Sequence, residues 1–377
     1  MKILGVVDGI GSMMVGARDN HEVIGNIEWR PYYHTGTFEY NFPESFMRKK
    51  WDDLTESEKS RSMEADLVIG HPECGNFSIL NTRSYDVKNS LDIPFFVDIV
   101  NKVKPKFFLA DNLPKSLLSF SLMDWDRETE NDYNVVPLWV SNYGYGNSQK
   151  HRNRLFIFGV RKDQDFQFVP NEQAHDTRVE DIVWDLPVEG DEKINHVFKS
   201  DDDVITGFSK YYFTGDPIND KCPMTFKEFK ENIILDGKTI CIYNAKGELK
   251  KRPGFLIRDK SEFALTLSGG GWSGADNIYD AYTKQPLTIR ERARIQGFPD
   301  DFIFQPLDYH KKKNLYNALI KQTGKCMPLQ FCTYIVNQIG NYVDNGILED
   351  PKKAKTILKP NPIIEDQINQ MLCADLL

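Results

Sequence analysis

Residues 3–11, Ile3-Leu4-Gly5-Val6-Val7-Asp8-Gly9-Ile10-Gly11, decide the fold. They form an apolar run that ends in a Gly-x-Gly turn. Helix-compatible residues follow to Arg18, and then a second apolar run, 23–27, ends at Glu28-Trp29. This order reads as strand, glycine turn, helix, strand. The glycines, with Gly16 beyond them, allow the backbone to approach a ligand closely. Glu28 stands where a carboxylate accepts from ribose hydroxyls, and Trp29 where a ring stacks on adenine. On these residues alone NAD, FAD and S-adenosylmethionine all remain open, as does a plain strand-to-helix connection.

The rhythm repeats outward. Residues 66–69 run into the loop His71-Pro72-Glu73-Cys74-Gly75, residues 106–110 run into Asp111-Asn112-Leu113-Pro114, and a further strand is expected over 154–160. Strands alternating with helical segments predict a doubly wound, Rossmann-like α/β sheet with all three polar loops open on one face. After about Pro187 the rhythm gives way to short strands and turns. The expected organisation is a catalytic, cofactor-binding domain over 1–185 completed by 316–343, a smaller lobe over 186–315, and a tail over 344–377.

Composition narrows the function classes. With 47 Lys+Arg against 55 Asp+Glu the net charge is −8, so any nucleic-acid binding must use a local basic cleft. No apolar run approaches the ~20 residues of a membrane span. Asp8 breaks the N-terminal apolar stretch too early for a signal peptide. The six cysteines form no CxxC pair and no Cys/His cluster, which points away from zinc and from a disulfide framework and toward a reducing cytoplasm.

Three places carry chemistry. Cys74 follows a strand in a Pro- and Gly-bearing loop, where an α/β enzyme presents a nucleophile. Asp111 ends the next strand and faces the same cleft; the alternative is a helix N-cap before residues 115–120. Arg152 and Arg154, two apart on an extended chain, share a face suited to phosphate or base edges, although a solvated turn has the same composition.

The order Gly-x-Gly, Glu-Trp, Pro-x-Cys-x-x-Phe-Ser (72–78), Asp-Asn-Leu, Gln-x-x-Arg-x-Arg, Leu-Thr-x-Arg-Glu-x-Ala-Arg-x-Gln-Gly-Phe-Pro (287–299) and Gln-x-Gly-x-x-x-Pro (322–328) resembles the DNA cytosine-5 methyltransferase family over about residues 1–340. The resemblance implies that Cys74 is the nucleophile adding to C6 of cytosine. It makes Asp111 the acid on N3 and the exocyclic amine, and it matches Arg152 and Arg154 to the family Arg-x-Arg, with Arg154 on O2. It implies S-adenosylmethionine held by Val7, Asp8, Gly9, Ile10, Gly11, Glu28, Trp29, Asp53, Leu91 and Lys325. The implied partner is double-stranded DNA with the target nucleotide flipped out, read by the smaller lobe of a monomer. The setting is the cytoplasm of a prokaryotic or phage-infected cell.

Departures from the pattern set further expectations. Asp111 replaces Glu, a loss of one methylene. Glu73-Cys74-Gly75 replaces Pro-Cys-Gln and puts an anion beside the thiolate, which raises its pKa unless the side chain turns away. Val7 replaces an aromatic residue, Asn89 replaces Gly in Lys88-Asn89-Ser90-Leu91, and the Gln-to-Arg spacing before Arg152 is one residue longer. Lys325 replaces Asn near the sulfonium. A cation there fits a donor with an extra carboxylate, so carboxymethyl transfer from carboxy-S-adenosylmethionine is an alternative; a catalytically weakened DNA-binding paralogue is another.

Overall fold

Alternation of side chains along the strands builds both faces of the main sheet. The computed structural model describes residues 1–77, 91–118, 120–173, 175–186, 200–219, 222–267, 286–304, 315–327 and 329–347. Ser78, residues 88–90, Pro328 and residues 348–377 lie outside the described residues. The strands are β1 (Lys2–Val6), β2 (Glu22–Ile27), β3 (Phe46–Arg48), β4 (Leu67–Gly70), β5 (Phe107–Asn112), β6 (Tyr133–Ser141) and β7 (Asn153–Arg161). They lie in the order β3-β2-β1-β4-β5-β7-β6, all parallel except β7, which runs antiparallel between β5 and β6.

Ile3, Leu67, Ile69, Phe107, Leu109 and Phe156 point to one face, where they join Phe331, Ile335 and Ile339 of the helix Leu329–Asn345. Leu4, Val68, Phe108, Ala110 and Ile157 point to the other, against Phe96 and Val100 of the helix Asp92–Val103. Period-two burial of this kind leaves the central strands no solvated face, as a doubly wound sheet requires. Pro137 is tolerated in β6 because that strand lies at the sheet edge.

The strand order reverses at β1. From it the chain steps outward to β2 and β3, then returns to lay β4 on the other side. Ligands of open α/β sheets bind at this switch, beyond the carboxyl ends of the strands. Close packing there depends on Gly70, the last residue of β4. A Cβ at this position would lie 2.1 Å from the Val6 carbonyl oxygen and 2.8 Å from the Phe96 ring. Gly70→Ala is therefore expected to cost roughly 1–3 kcal/mol, read as a lower denaturation midpoint in urea. An unchanged midpoint would mean that β1 and β4 can separate freely.

A smaller lobe carries the two-stranded sheet β8 (Val204–Ser209) with β9 (Pro223–Thr225). It also carries the three-stranded sheet β10 (Ile234–Asp236), β11 (Thr239–Tyr243) and β12 (Leu249–Leu256). Its own core is built from Phe213, Met224, Phe226, Phe229, Ile240 and Ile257. The helix Ile289–Gln296 begins at a Thr288/Glu291 capping box and stops at Gly297, whose φ of 95° is left-handed. Ile289, Ala293, Phe298, Phe302 and Phe304 pack into the main core with β1 and the C-terminal helices, although the sequence reading assigns them to the smaller lobe. The C-terminal helix continues to Asn345, one residue past the expected start of the tail, and Asp344 on it pairs with the N-terminal amine at 2.8 Å. Among the described residues no helix is long and apolar enough to cross a membrane.

Candidate active site

Four chain segments meet beyond the carboxyl edge of β1, β4 and β5. Because β7 runs antiparallel, its first residues return to the same edge, with Leu155 opposite Asn112 and Phe156 opposite Asp111. Arg154 thereby reaches Asp111 with two nitrogens, Nε to Oδ1 at 3.0 Å and Nη2 to Oδ2 at 2.5 Å. Its third nitrogen, Nη1, lies 4.0 Å from the Cys74 sulfur. His71 completes the group: its Nδ1 is 2.5 Å from Asp111 Oδ2, and its charge is coupled to that of the Cys74 thiol. Asp111 is wholly buried, and it is Asn112, not Asp111, that makes the local backbone bond, accepting from the Leu113 amide at 2.7 Å.

The electrostatics follow from this packing. Burial pushes the Cys74 thiol up, but Arg154 and His71 outweigh it and hold the thiol at about 7. Burial likewise disfavours the Asp111 anion, yet the Arg154 fork and His71 hold its pKa below the usual range. His71 is lowered by burial and raised by Asp111 and Cys74, which leave it at about 9. The anion beside the thiolate, Glu73, is directed elsewhere. Glu73 Oε2 accepts from Tyr32 at 2.8 Å and pairs with Lys325 Nζ at 3.1 Å; these contacts, with Arg30, overcome burial and bring Glu73 to about 2.

Lys325 thus has a protein carboxylate as its partner, and its ammonium lies 4.8 Å from the Tyr32 ring centroid.

The loop after β1 is tightly organised. Gly9 (φ 61°) and Gly11 (φ 84°) are left-handed, and so is Val7 (φ 51°), a conformation that costs a β-branched residue about 1–3 kcal/mol. Asp8 is buried and accepts from the Met13 amide at 3.1 Å; desolvation raises it to about 8. Ile10 is buried in the core. Glu28 is buried, and its two oxygens accept from Gly9 N at 2.9 Å, Arg30 N at 2.9 Å, Arg30 Nε at 2.8 Å and Arg30 Nη2 at 2.7 Å.

The Trp29 ring is 40% exposed, with Nε1 donating to Asp92 at 2.8 Å, and the adjacent Leu91 is 72% exposed. Asp53 is exposed in the turn after β3, 3.9 Å from Lys50.

Two residues that sequence reasoning missed tie these loops together. The buried Arg30 guanidinium bonds to Glu28 and to the carbonyls of Val7 and His71, and it lies 3.3 Å from Asp92. Asp92, at the start of its helix, also accepts from the Glu73 amide at 2.7 Å. The signal for Arg30 is its place two residues after Glu28 on extended chain, where the two side chains share a face.

Arg152 has different contacts from Arg154. It donates to the carbonyls of Leu267 at 2.8 Å and Cys326 at 2.6 Å, and burial beside Arg154 lowers it to about 10. Buried Gln149 bonds Gln296 at 2.9 Å, and Gln296 donates to the Thr323 carbonyl at 2.7 Å. The three motif segments around Gln149, Gln296 and Thr323 therefore form one hydrogen-bonded unit, far apart in sequence but joined behind the Cys74 cluster. Among the described residues no group of acidic, His and Cys side chains is arranged to hold a metal ion.

Residues 1–341 match the family model for C-5 cytosine-specific DNA methylase. The Type II methyltransferase M.FnuDI of Fusobacterium nucleatum is 25% identical over 97% of this chain and 100% of its own length. M.MthTI of Methanothermobacter thermautotrophicus is 28% identical over 75% of this chain and 81% of its own. The crystal structure of S. pombe Dnmt2 methyltransferase superposes with a TM-score of 0.58 at 12% identity, over 91% of this chain and 99% of that one, a likeness of fold. With nine-tenths of its length matched by the family model, the chain belongs to the C-5 cytosine-specific DNA methylase family and is a DNA cytosine-5 methyltransferase.

Proposed function

We propose that this methyltransferase acts on a cytosine flipped out of a specific double-stranded DNA sequence, through a covalent bond between Cys74 and C6. The observation that carries the reading is the Cys74, Arg154, Asp111 cluster at the carboxyl edge of the sheet. Cytosine is not nucleophilic at C5. Addition of the Cys74 thiolate to C6 makes C5 an enamine carbon, and a thiol held at about 7 supplies that thiolate at neutral pH. The Asp111 carboxylate faces the ring at N3 and the amine, and Arg154 places a fixed positive charge beside the ring oxygen. Arg152 serves as a positioning residue, fixing the start of β7 through its two carbonyl contacts. Since C5 and C6 are covered in a stacked duplex, the nucleotide must be extruded to reach Cys74.

The cofactor-side residues fit S-adenosylmethionine, the donor used by the family. Left-handed Gly9 and Gly11 shape the backbone of the switch-point loop, which also carries Val7, Asp8 and Ile10. The exposed faces of Trp29 and Leu91 are available to an adenine, and Asp53 offers a carboxylate on the same edge. Glu28, already saturated by Gly9 and Arg30, acts by fixing that loop. Bound S-adenosylmethionine supplies the electrophilic methyl group. The pairing of Lys325 with Glu73 supports methyl over carboxymethyl transfer, because a donor carboxylate would have to displace Glu73 from the lysine. The smaller lobe built on β8 to β12 is assigned to target recognition, and the Type II names of the relatives support a role in restriction-modification.

The test is DNA carrying 5-fluoro-2′-deoxycytidine, incubated with the protein and S-adenosylmethionine. The expected result is an adduct that survives denaturing gel electrophoresis and maps to the Cys74 peptide, with 5-methylcytosine appearing in unfluorinated DNA. Methylation with no adduct would overturn the C6-addition mechanism. A carboxymethyl mass, seen only with the carboxylated donor, would reassign the donor.

A further inference from the structure

Methyl transfer through Cys74, Asp111 and Arg154 leaves His71 without a task, yet its Nδ1 meets the Asp111 carboxylate at 2.5 Å and lies 3.4 Å from the Arg154 guanidinium, which also reaches the Cys74 sulfur, and the His71 and Cys74 charges are electrostatically coupled. Unlike the guanidinium, an imidazole gains and loses a proton readily. His71 is 6% exposed and stands one residue past the end of β4, at the base of the Cys74 loop. Two neighbours face its Nδ1. Asp111 Oδ2 lies at 2.5 Å and Arg154 Nη2 at 3.4 Å, so the ring N–H donates to the carboxylate and the guanidinium is a side neighbour. Meanwhile Asp111 is held as an anion by a bidentate arginine, which makes it a poor store for a proton of its own.

We propose that His71 is the proton carrier of this active site, taking the proton from the Cys74 thiol and passing it through Asp111 to N3 of the cytosine as sulfur adds to C6. The inference rests on the reading above that Cys74 forms the C6 adduct. In the resting site the proton sits on His71 and the sulfur is a thiolate. As the sulfur lone pair forms the S–C6 bond, the C5–C6 π pair moves into the ring toward N3. Asp111 accepts the imidazolium Nδ1 proton and delivers a proton to N3 in the same relay, ending as the anion it began and leaving a neutral enamine and a neutral imidazole. When the C5 proton has left to solvent and the S–C6 bond breaks, the sulfur leaves as thiolate and the N3 proton returns by the same route. His71 and Asp111 therefore end each cycle unchanged, and one proton is released per methyl transferred.

The charges facing the His71 ring are Asp111 on β5, Arg154 on β7, Cys74 and Glu73 on its own loop, and Asp8 after β1, while Arg30 donates to its carbonyl. At neutral pH Asp111, Glu73 and the Cys74 thiolate are anionic, and Asp8 joins them above about 8. The two anions that act most on the ring, Asp111 and Cys74, favour its protonated form and agree with its pKa of about 9.

The experiment follows iodoacetamide alkylation of Cys74 against pH in the full chain by peptide mass, alongside the pH profile of methyl transfer. In the wild type alkylation should turn on near pH 7, the value at which the thiol ionises. In His71→Asn, which cannot carry the proton, the inflection should rise by about one unit, a ~10-fold smaller thiolate fraction at neutral pH. kcat should fall by about 10²-fold with KM for DNA unchanged. The wild-type rate should decline as pH rises past about 9, where His71 loses its proton, and the variant should lack that limb. Near-UV circular dichroism checks folding, and His71→Gln replaces the first variant if Asn disturbs the loop.

An alkylation profile and kcat unchanged in both variants would overturn the proposal. Alkylation reads His71 without DNA, so a wild type that never forms an adduct defeats the C6-addition reading and leaves the His71–Cys74 coupling separately measured.

Discussion

Cys74→Ser is expected to lower methyl transfer by roughly 10⁴-fold or more while leaving the fold and DNA binding intact. The magnitude follows from ionisation. A thiol held at about 7 is near half thiolate at neutral pH, whereas a serine hydroxyl in the same place has essentially no alkoxide. The environment cannot compensate. Arg154 lies 4.0 Å from the sulfur and is already committed to Asp111 through two bonds, so it has little additional pull to offer an alcohol. Removing a nucleophile that acts together with its neighbours also idles them, and such losses reach the scale of roughly 10⁴ to 10⁶ in kcat. Binding should be unaffected or slightly tighter, since the substitution removes negative charge from the cleft. Single-turnover methyl transfer and DNA anisotropy measured side by side separate the two effects. A serine variant that keeps more than about one hundredth of the wild-type rate would show that sulfur is not the attacking atom.

Much of this cleft is legible in the amino-acid sequence, for physical reasons that differ by residue. Runs of apolar residues mark β1, β2, β4, β5 and β7 to within about two residues, because a strand covered on both faces is apolar through its middle and turns polar only toward its ends. The turn residues then locate the loops, so Cys74, Asp111 and the Gly9 turn fall on one edge as expected. Strand direction and side-chain pairing are harder to see. That β7 runs antiparallel is not encoded in its own pattern, yet it is why Arg154 and Asp111 meet. His71, Arg30 and Asp92 give little signal because each, taken alone, is an ordinary polar residue at a strand end or helix start. Their weight comes from partners distant in sequence; Asp92, for one, accepts from Glu73, 19 residues away, and from Trp29, 63 residues away. Glu73 and Lys325, which look like two separate disturbances of the family pattern, are each other's partner across 252 positions of sequence. Asp111, the shorter carboxylate at its position, is likewise partnered by a residue just outside the Pro72–Ser78 motif, His71, at 2.5 Å.

Arg30→Met should be the most destabilising single change outside the core, lowering the melting temperature by about 10 °C. Arg30 is buried with Glu28 and Asp92, which are 0% and 2% exposed. Methionine replaces much of its aliphatic volume but leaves both carboxylates without their cation. Breaking a buried ion pair from one side costs ~3–5 kcal/mol, and at roughly 2–4 °C per kcal/mol in a large chain this gives the stated shift. Lysine is no substitute. Its single ammonium cannot span Glu28, the Val7 carbonyl and Asp92 at once, so Arg30→Lys should recover only part of the loss.

Glu28→Gln added to Arg30→Met supplies the sharper test, since removing one stranded charge should restore several degrees if desolvated anions are the cause. If instead the double variant melts lower than Arg30→Met alone, the loss comes from the hydrogen bonds that join the loops after β1 and β4. In that case methyl transfer should fall in parallel, because Arg30 is the residue that bonds Val7 of the first loop and His71 of the second at the same time.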